Sequence, residues 1–451
     1  MSEIKGIEMD GSFCITTCTP SCEKDIYSNK KLDQPTRRNK KDMKGLLSIK
    51  PTEQIEYFRE IKIDDIRNFS EKKDPQTIMF SKPSTHVFHS TDFLLTVAPN
   101  ISEDLISSQN LIEIQNLTNH LKNGVTSFFG FEFRLTSTKA RSDYLIAVSS
   151  QKGEREALVN TIKNGNLPKE FLQQKEWHQV KKLTEQWADP KSILHKNILG
   201  LWLEFDTAKE DIKTPVPNIF LQTVPLRIDI PKDIEKCIWV TRDAIPILTG
   251  AKVSEQLENK FIDALKKLPE GASVFHVASM LARGSEGMRL VIKRIKPEDI
   301  VPYLESIGWK DNDENELTVL LNDIKRFSNC IRLHINISDH VDPKIGLECF
   351  ISPDKYHEGE GWNEFFDYLV SKNICLPHLS SALLAFPGVI QENQTEEFSF
   401  DSYIPSVKIE GNNFSKALVR YISHVKINYE PGKATEAKAY TGVRLFGMLE
   451  A

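Results

Sequence analysis

The sequence predicts an α/β protein built from about five α-β-β-α units, its ten antiparallel strands closing into a barrel with the helices outside. Three observations lead there. A helix-strand-strand-helix order recurs from about residue 100 to the C-terminus. The strand-like runs alternate apolar and polar residues with period two. The second face of those runs is rich in aromatic, charged and glycine residues, which suits the lining of a cavity.

The elements follow in order. "EDLISSQNLIEIQNLTNHL" has apolar residues at helical spacing, and "FFGFEFRLTS" and "SDYLIAVSS" read as a first strand pair. "EREALVNTIKNG" and "EWHQVKKLTEQWAD" are helical. "ILGLWLEFD" and "NIFLQTV" form the second pair, and "SEQLENKFIDALKKLP" is a helix ending in proline. "SVFHVASMLA" and "GMRLVIKRI" make the third pair, followed by helices "PEDIVPYLESIG" and "ENELTVLLNDIKRFS". "IRLHINI" and "KIGLECFI" make the fourth, followed by "WNEFFDYLVSKN" and "LPHLSSALLAFPG". "NFSKALVRYIS" leads into the fifth pair, "HVKINYEPGKATEAKAYTGVRL", which begins near residue 424. Short loops within pairs predict antiparallel hairpins, and the helices between pairs predict that one sheet face is covered.

The alternation says which face. Phe129, Phe131, Phe133 and Leu135 oppose Gly130, Glu132 and Arg134; Leu199, Leu201, Leu203 and Phe205 oppose Gly200, Trp202, Glu204 and Asp206. Ile331, Leu333, Ile335 and Ile337 oppose Arg332, His334 and Asn336, and Leu347 and Cys349 oppose Gly346, Glu348 and Phe350. A one-residue slip would invert every side chain, so the pattern constrains register strongly. Helices should cover the apolar side. The other side either faces solvent in an open sheet or lines the lumen of a closed one, and closure removes exposed edges. A closed lumen is expected, with Gly130, Gly200, Gly346 and Gly442 supplying bends or space for a ligand.

Composition narrows the function. A net charge of −5 argues against a general nucleic-acid or membrane-surface binder. No apolar run reaches the roughly 18 residues of a membrane helix. Seven cysteines, an odd number, fit a reducing compartment, and the N-terminus lacks a secretory apolar core, so a cytoplasmic location is expected. Residues 1–45 are polar, with a basic cluster from Lys30 to Lys44, and read as a flexible arm. Residues 46–100 read as an extension packing on the barrel domain, residues 101–451. Cys14, Cys18 and Cys22 recur at four-residue intervals, but no fourth ligand is nearby, and unpaired thiols are the preferred reading.

In element order and size, residues 101–451 resemble the aromatic prenyltransferase barrel, the ABBA fold. The resemblance implies a lumen that binds an isoprenoid diphosphate and transfers its prenyl group to an aromatic small molecule or a peptide side chain, in natural-product biosynthesis. That family grips diphosphate with Lys, Arg and Tyr on alternate inward positions, often as K-x-Y. "KAY" supplies Lys438 and Tyr440 here, with Arg444 further along the same face; Lys426, Arg332, His334, Arg289 and Lys293 are the neighbouring candidates. Fixed cations stabilise the charge that develops on a leaving diphosphate, and aromatic walls such as Tyr440, Trp202, Phe220 and Phe350 shield an allylic cation. Glu132 resembles the first-strand carboxylate that orients the acceptor, with Glu204 as a second candidate. The co-substrate is the diphosphate, and no cofactor is implied. Magnesium is allowed but not required, because side-chain cations replace it.

The chain departs from that family in carrying Glu204, Asn218 and Glu348 where cations would help. A non-catalytic barrel that holds a peptide or metabolite as an accessory protein is therefore the alternative. "DNDENE", Asp311 to Glu316, is better read as an acidic helix start than as a magnesium site. His276, His334 and His424 fall on the inner face and read as polar lining. No nucleophile elbow, dinucleotide fingerprint or phosphate loop occurs.

Overall fold

The computed structural model describes residues 90–121, 125–150, 153–163, 167–209, 215–284, 287–310, 314–328, 330–351, 361–391 and 414–449. The basic arm with its three cysteines, and the first half of the "DNDENE" run, lie outside the described residues. Of the 46–100 extension, the described part is helix Ser90–Val97 and a 3-10 turn at Ala98–Asn100. Phe93, Leu94 and Val97 from this part enter the main core.

Eleven strands form one sheet. They are β1 (Phe128–Arg134), β2 (Ser142–Ser149), β3 (Ile198–Phe205), β4 (Pro217–Leu226), β5 (Ser273–Ser279), β6 (Met288–Lys293), β7 (Cys330–Ile337), β8 (Ile345–Phe350), β9 (Gly388–Gln391), β10 (Phe414–Glu430) and β11 (Lys433–Leu449). Each of β1 to β8 pairs antiparallel with the next, β8 pairs with β10, β10 with β11, and β11 returns to β1. Ten strands thus form a closed antiparallel barrel with helices outside. The short β9 pairs with the first half of β10 (Ala417–Arg420), beyond the stretch that β8 occupies (Val425–Tyr429). Periodicity did not suggest β9: four residues after a Pro-Gly carry too little pattern.

The predicted faces are the observed ones. Phe129, Phe131, Leu203, Phe205, Leu333 and Leu347 join a single large core with the outer helices. Helix Lys175–Ala188 shows how: Trp177, Val180, Thr184 and Trp187 lie at spacings of three and four and are all buried. Each large apolar side chain buried here contributes roughly 1.5–3 kcal/mol. Trp187 donates to the Ile198 carbonyl at 2.9 Å, tying the helix to the start of β3. Leu199 is an exception to the expected pattern. It sits at a bulge between Ile198 and Gly200 and is 40% exposed.

The fifth pair begins ten residues earlier than expected, at Phe414. The reason is a bulge between Ile422 and His424. Before it, odd-numbered Val419 and Tyr421 join inward clusters; after it, even-numbered His424, Lys426 and Asn428 line the lumen. An extra residue changes the parity of alternation, so one strand reads as two unrelated stretches. Residues 231–249 also escaped the pattern. They form a series of short helical turns, one of them π-type, ending at Gly250 with φ of 71°.

The outward face of β10 holds an unusual buried cation. Arg420 donates to the Phe386 carbonyl at 2.7 Å, just past a helix, and to the Asn100 carbonyl at 3.1 Å, at the last residue of the 3-10 turn. Cations are favoured at such carbonyl ends. Burial lowers its pKa to about 10. Arg420→Ala should remove about 1–3 kcal/mol, because the Phe386 carbonyl is left buried without its donor. Urea unfolding would show this as a lower midpoint at unchanged slope.

Candidate functional site

The lumen wall is legible as two rows of side chains, each row made of direct cross-strand partners. Arg134, Lys438, Lys426, Glu348 and Arg332 are successive partners across β1, β11, β10, β8 and β7. The next row is Asp143, Glu132, Tyr440 and His424, across β2, β1, β11 and β10. Like charges placed directly opposite destabilise a sheet. Here Lys426 opposes Lys438, and Glu132 opposes Asp143.

Hydrogen bonds between the rows offset part of that cost. Lys438 Nζ donates to Glu132 Oε1 at 2.7 Å. Lys426 Nζ donates to the Tyr440 hydroxyl, which donates in turn to Glu132 Oε2. Burial works to raise the Glu132 pKa, yet Lys438 and Lys426 hold it well below the carboxylate range. Tyr440 is pushed the opposite way by burial and by Glu132, so its hydroxyl stays protonated. Burial brings Lys426 down to about 8, with Lys438 and Arg289 adding to the fall. Burial takes Asp143 up to about 7, helped by Glu132 and Glu204, although it accepts from Arg134 at 2.8 Å.

The two halves of the wall differ in sign. On β6, β7 and β10 stand Arg289, Lys293, Arg332 and Lys426, and the carboxylate among them is Glu348. Arg332 lies between two rings, 4.1 Å from the Phe350 centroid and 4.8 Å from that of Phe275, and 3.9 Å from Glu348. Lys293 approaches the Phe275 ring at 5.2 Å; burial and the charges of Arg294 and Arg332 lower it to about 8. Arg289 donates to Asn336 at 2.9 Å. Aromatic rings continue the wall: Phe350 and His424 lie 4.8 Å apart, and His424 stacks on Tyr440 at 4.4 Å.

On β1 to β4 the charge is acidic and internally paired. Glu204 accepts from Arg283 at 2.6 Å, and Asp206 from Arg283 at 2.7 Å and Asn218 at 3.0 Å. Alternation did not single out Arg283 or Asp143. Arg283 sits on a turn after β5, where no period exists, and Asp143 is the second residue of β2, next to polar Ser142, where the alternation is not yet established.

The structure therefore brings Glu132, Lys426, Lys438, Tyr440, Arg332, His334, Arg289 and Phe350 around one stretch of lumen. Lys293 flanks it through Phe275. Arg444 stands apart: it is over the Phe128 ring at 5.7 Å, and six residues of β11 put it about 20 Å along the strand from Lys438. One diphosphate cannot span that distance. Trp202 meets Phe128 edge-on at 5.0 Å, in an apolar zone with Tyr421, and also packs on Phe220. Gly442 and Gly346 make room for the protein's own side chains. A Cβ on Gly442 would meet Tyr421 Cζ at 2.6 Å, and one on Gly346 would meet Lys426 Cδ at 3.2 Å. A cavity of about 530 Å³ near Trp239 and Cys237 lies outside the barrel, and its Arg227–Asp229 and Lys236–Asp233 pairs are self-contained. Among the described residues no helix is long and apolar enough to cross a membrane.

This closed ten-stranded antiparallel barrel, with helices outside and a charged lumen, is the prenyltransferase-barrel, or ABBA, architecture. Known protein families and curated proteins include no match to the chain. Among solved structures it is similar to 5-dimethylallyltryptophan synthase from Streptomyces coelicolor, at 12% identity and a TM-score of 0.44, covering 77% of this chain and 93% of that one. It is also similar to a 6-dimethylallyl tryptophan synthase, at 11% identity and a TM-score of 0.44, covering 78% of this chain and 96% of that one. AnaPT from Neosartorya fischeri has 10% identity and a TM-score of 0.42, covering 79% and 91%. At these identities and TM-scores the likenesses carry no activity over to this chain.

Proposed function

We propose that the barrel is a transferase that takes an isoprenoid group from a diphosphate donor and passes it to an aromatic small molecule or a peptide side chain. One observation carries the reading: the cation-rich wall of Arg289, Lys293, Arg332 and Lys426, backed by the rings of Phe275, Phe350, His424 and Tyr440. Four cations share this wall with one carboxylate, Glu348, and burial together with the neighbouring cations brings Lys293 and Lys426 both down to about 8. A diphosphate supplies the balancing charge through charge-assisted hydrogen bonds. As the carbon–oxygen bond of the donor breaks, the same cations stabilise the leaving group, and the rings face the allylic cation. Glu132 and Glu204 are the acids placed to orient an acceptor's N–H or O–H.

A second reading is a barrel that binds its ligand without turnover. Its support is specific: Glu132 is already engaged by Lys438 and Tyr440, and Glu204 by Arg283, so an acceptor must displace a partner from its own chain. Thermal stabilisation and product formation with a panel of isoprenoid diphosphates and aromatic or peptide acceptors separate the readings. Transfer is expected to show as both stabilisation and a prenylated product. Stabilisation without product points to the binding barrel, and no stabilisation by any diphosphate removes the donor assignment.

A further inference from the structure

His334 and Glu348 form a pair whose geometry is that of an aimed base. His334 Nε2 lies 2.6 Å from Glu348 Oε1, and both residues are buried. Burial opposes ionisation of Glu348, but His334 and His424 outweigh it and hold its pKa well below the carboxylate range. An ionised carboxylate only accepts hydrogen bonds, so Nε2 of His334 is the nitrogen that carries the proton. In a neutral imidazole Nδ1 is then a lone pair. Burial lowers His334 to about 4, against the opposing pull of Glu348, which keeps the ring neutral at pH 7. Nδ1 has no hydrogen-bond partner among the described residues, and it is buried. The residue directly across on β8 is Gly346, and the space beside it is taken by Lys426, Asn428 and the Cβ of His334 itself. Buried polar atoms are nearly always satisfied, so the donor to this acceptor atom comes from outside the chain, from water or from a ligand.

Resting on the transferase reading above, we propose that His334 Nδ1, oriented by Glu348, takes the proton that leaves the acceptor during transfer. The donor's carbon–oxygen bond breaks and its electron pair leaves with the diphosphate. The acceptor atom, a ring carbon in an aromatic acceptor, forms the new bond to the prenyl carbon. The proton on that atom moves to Nδ1, its bonding pair returns to the ring, and Glu348 balances the imidazolium. The protonated ring intermediate is a strong acid, so a base of low pKa suffices. Such a base also stays unprotonated across the working range.

The test uses the full chain and His334→Gln, whose amide nitrogen keeps the donor to Glu348 and removes the Nδ1 lone pair. With an isoprenoid diphosphate and an acceptor deuterated at the prenylated carbon, kcat should fall about 100-fold or more. A primary isotope effect absent from the wild type should appear, while KM for the diphosphate stays unchanged. A kcat unaltered by the substitution overturns the proposal, as does a loss of kcat without an isotope effect. Nitrogen-15 NMR of the histidines in the wild-type protein provides an arm independent of turnover. The Nε2–H tautomer of His334 at pH 7 supports the assignment, and a protonated Nδ1 refutes it even if prenyl transfer is observed. Failure of every diphosphate to bind removes the transferase reading instead, and is seen in the wild type alone.

Discussion

Glu132→Gln should cost the fold about 3–5 kcal/mol, the loss typical of breaking a buried ion pair by removing one partner. Glu132 is 1% exposed and accepts from both Lys438 and Tyr440, while Lys426 reaches it through Tyr440. Neutralising it leaves Lys438 and Lys426 facing each other across β10 and β11 without their shared counter-charge. Urea unfolding at pH 7 measures the loss. Adding Lys438→Met to Glu132→Leu should recover part of it, because Lys438 is then no longer stranded, while Lys426 keeps Glu348 across from it on β8. The pH dependence has a definite sign. The folded pKa of Glu132 is depressed, so its contribution is present above the ordinary carboxylate pKa and disappears as pH falls through the folded value. The variant should lack that acid-side slope. A loss below about 1 kcal/mol would mean that water in the lumen solvates the two lysines as well as Glu132 does.

Lys426→Met should weaken binding of an isoprenoid diphosphate about 10- to 100-fold, corresponding to roughly 1.5–3 kcal/mol for a charge-assisted hydrogen bond. Folding stability should be unchanged or higher, since the substitution removes a desolvated cation opposite Lys438. Burial, with neighbouring cations, lowers Lys426 and Lys293 both to about 8. A bound diphosphate favours their charged forms, so binding should take up protons above pH 8 and affinity should fall as pH rises through that region. Calorimetry in buffers of different ionisation enthalpy reads the uptake directly. In Lys426→Met the uptake should shrink to the part owed to Lys293. An affinity insensitive to pH between 7 and 9, with full binding by the variant, would place the diphosphate elsewhere.

Much of the architecture was legible because period two survives in isolated strands. Phe129, Phe131 and Phe133 declare an outer face whatever the partner strand is, and so do Ile331, Leu333 and Ile335. Legibility failed where the period breaks. The bulge after Ile422 hid the first half of β10, four residues of β9 carried too little pattern, and Leu199 fell on another bulge. The glycines were read as bends or space for a ligand, and at Gly442 and Gly346 Tyr421 and Lys426 occupy that space. Arg444 shares a face with Lys438 but sits too far along β11 to share its ligand.

The amino-acid sequence by itself determined which residues face inward along the regular strand stretches, outside the bulges of β3 and β10, and that five strand pairs alternate with helices, because side-chain direction in a strand is a local property. The tertiary structure decided which inward residues meet. Lys438 and Glu132 are separated by 306 positions, and closure of β11 on β1 puts them 2.7 Å apart. Closure likewise set the row of Arg134, Lys438, Lys426, Glu348 and Arg332, and with it the pairing of each cation and the altered acidity of each lysine. Charge pairing depends on distance and burial across strands, which alternation along one strand does not encode.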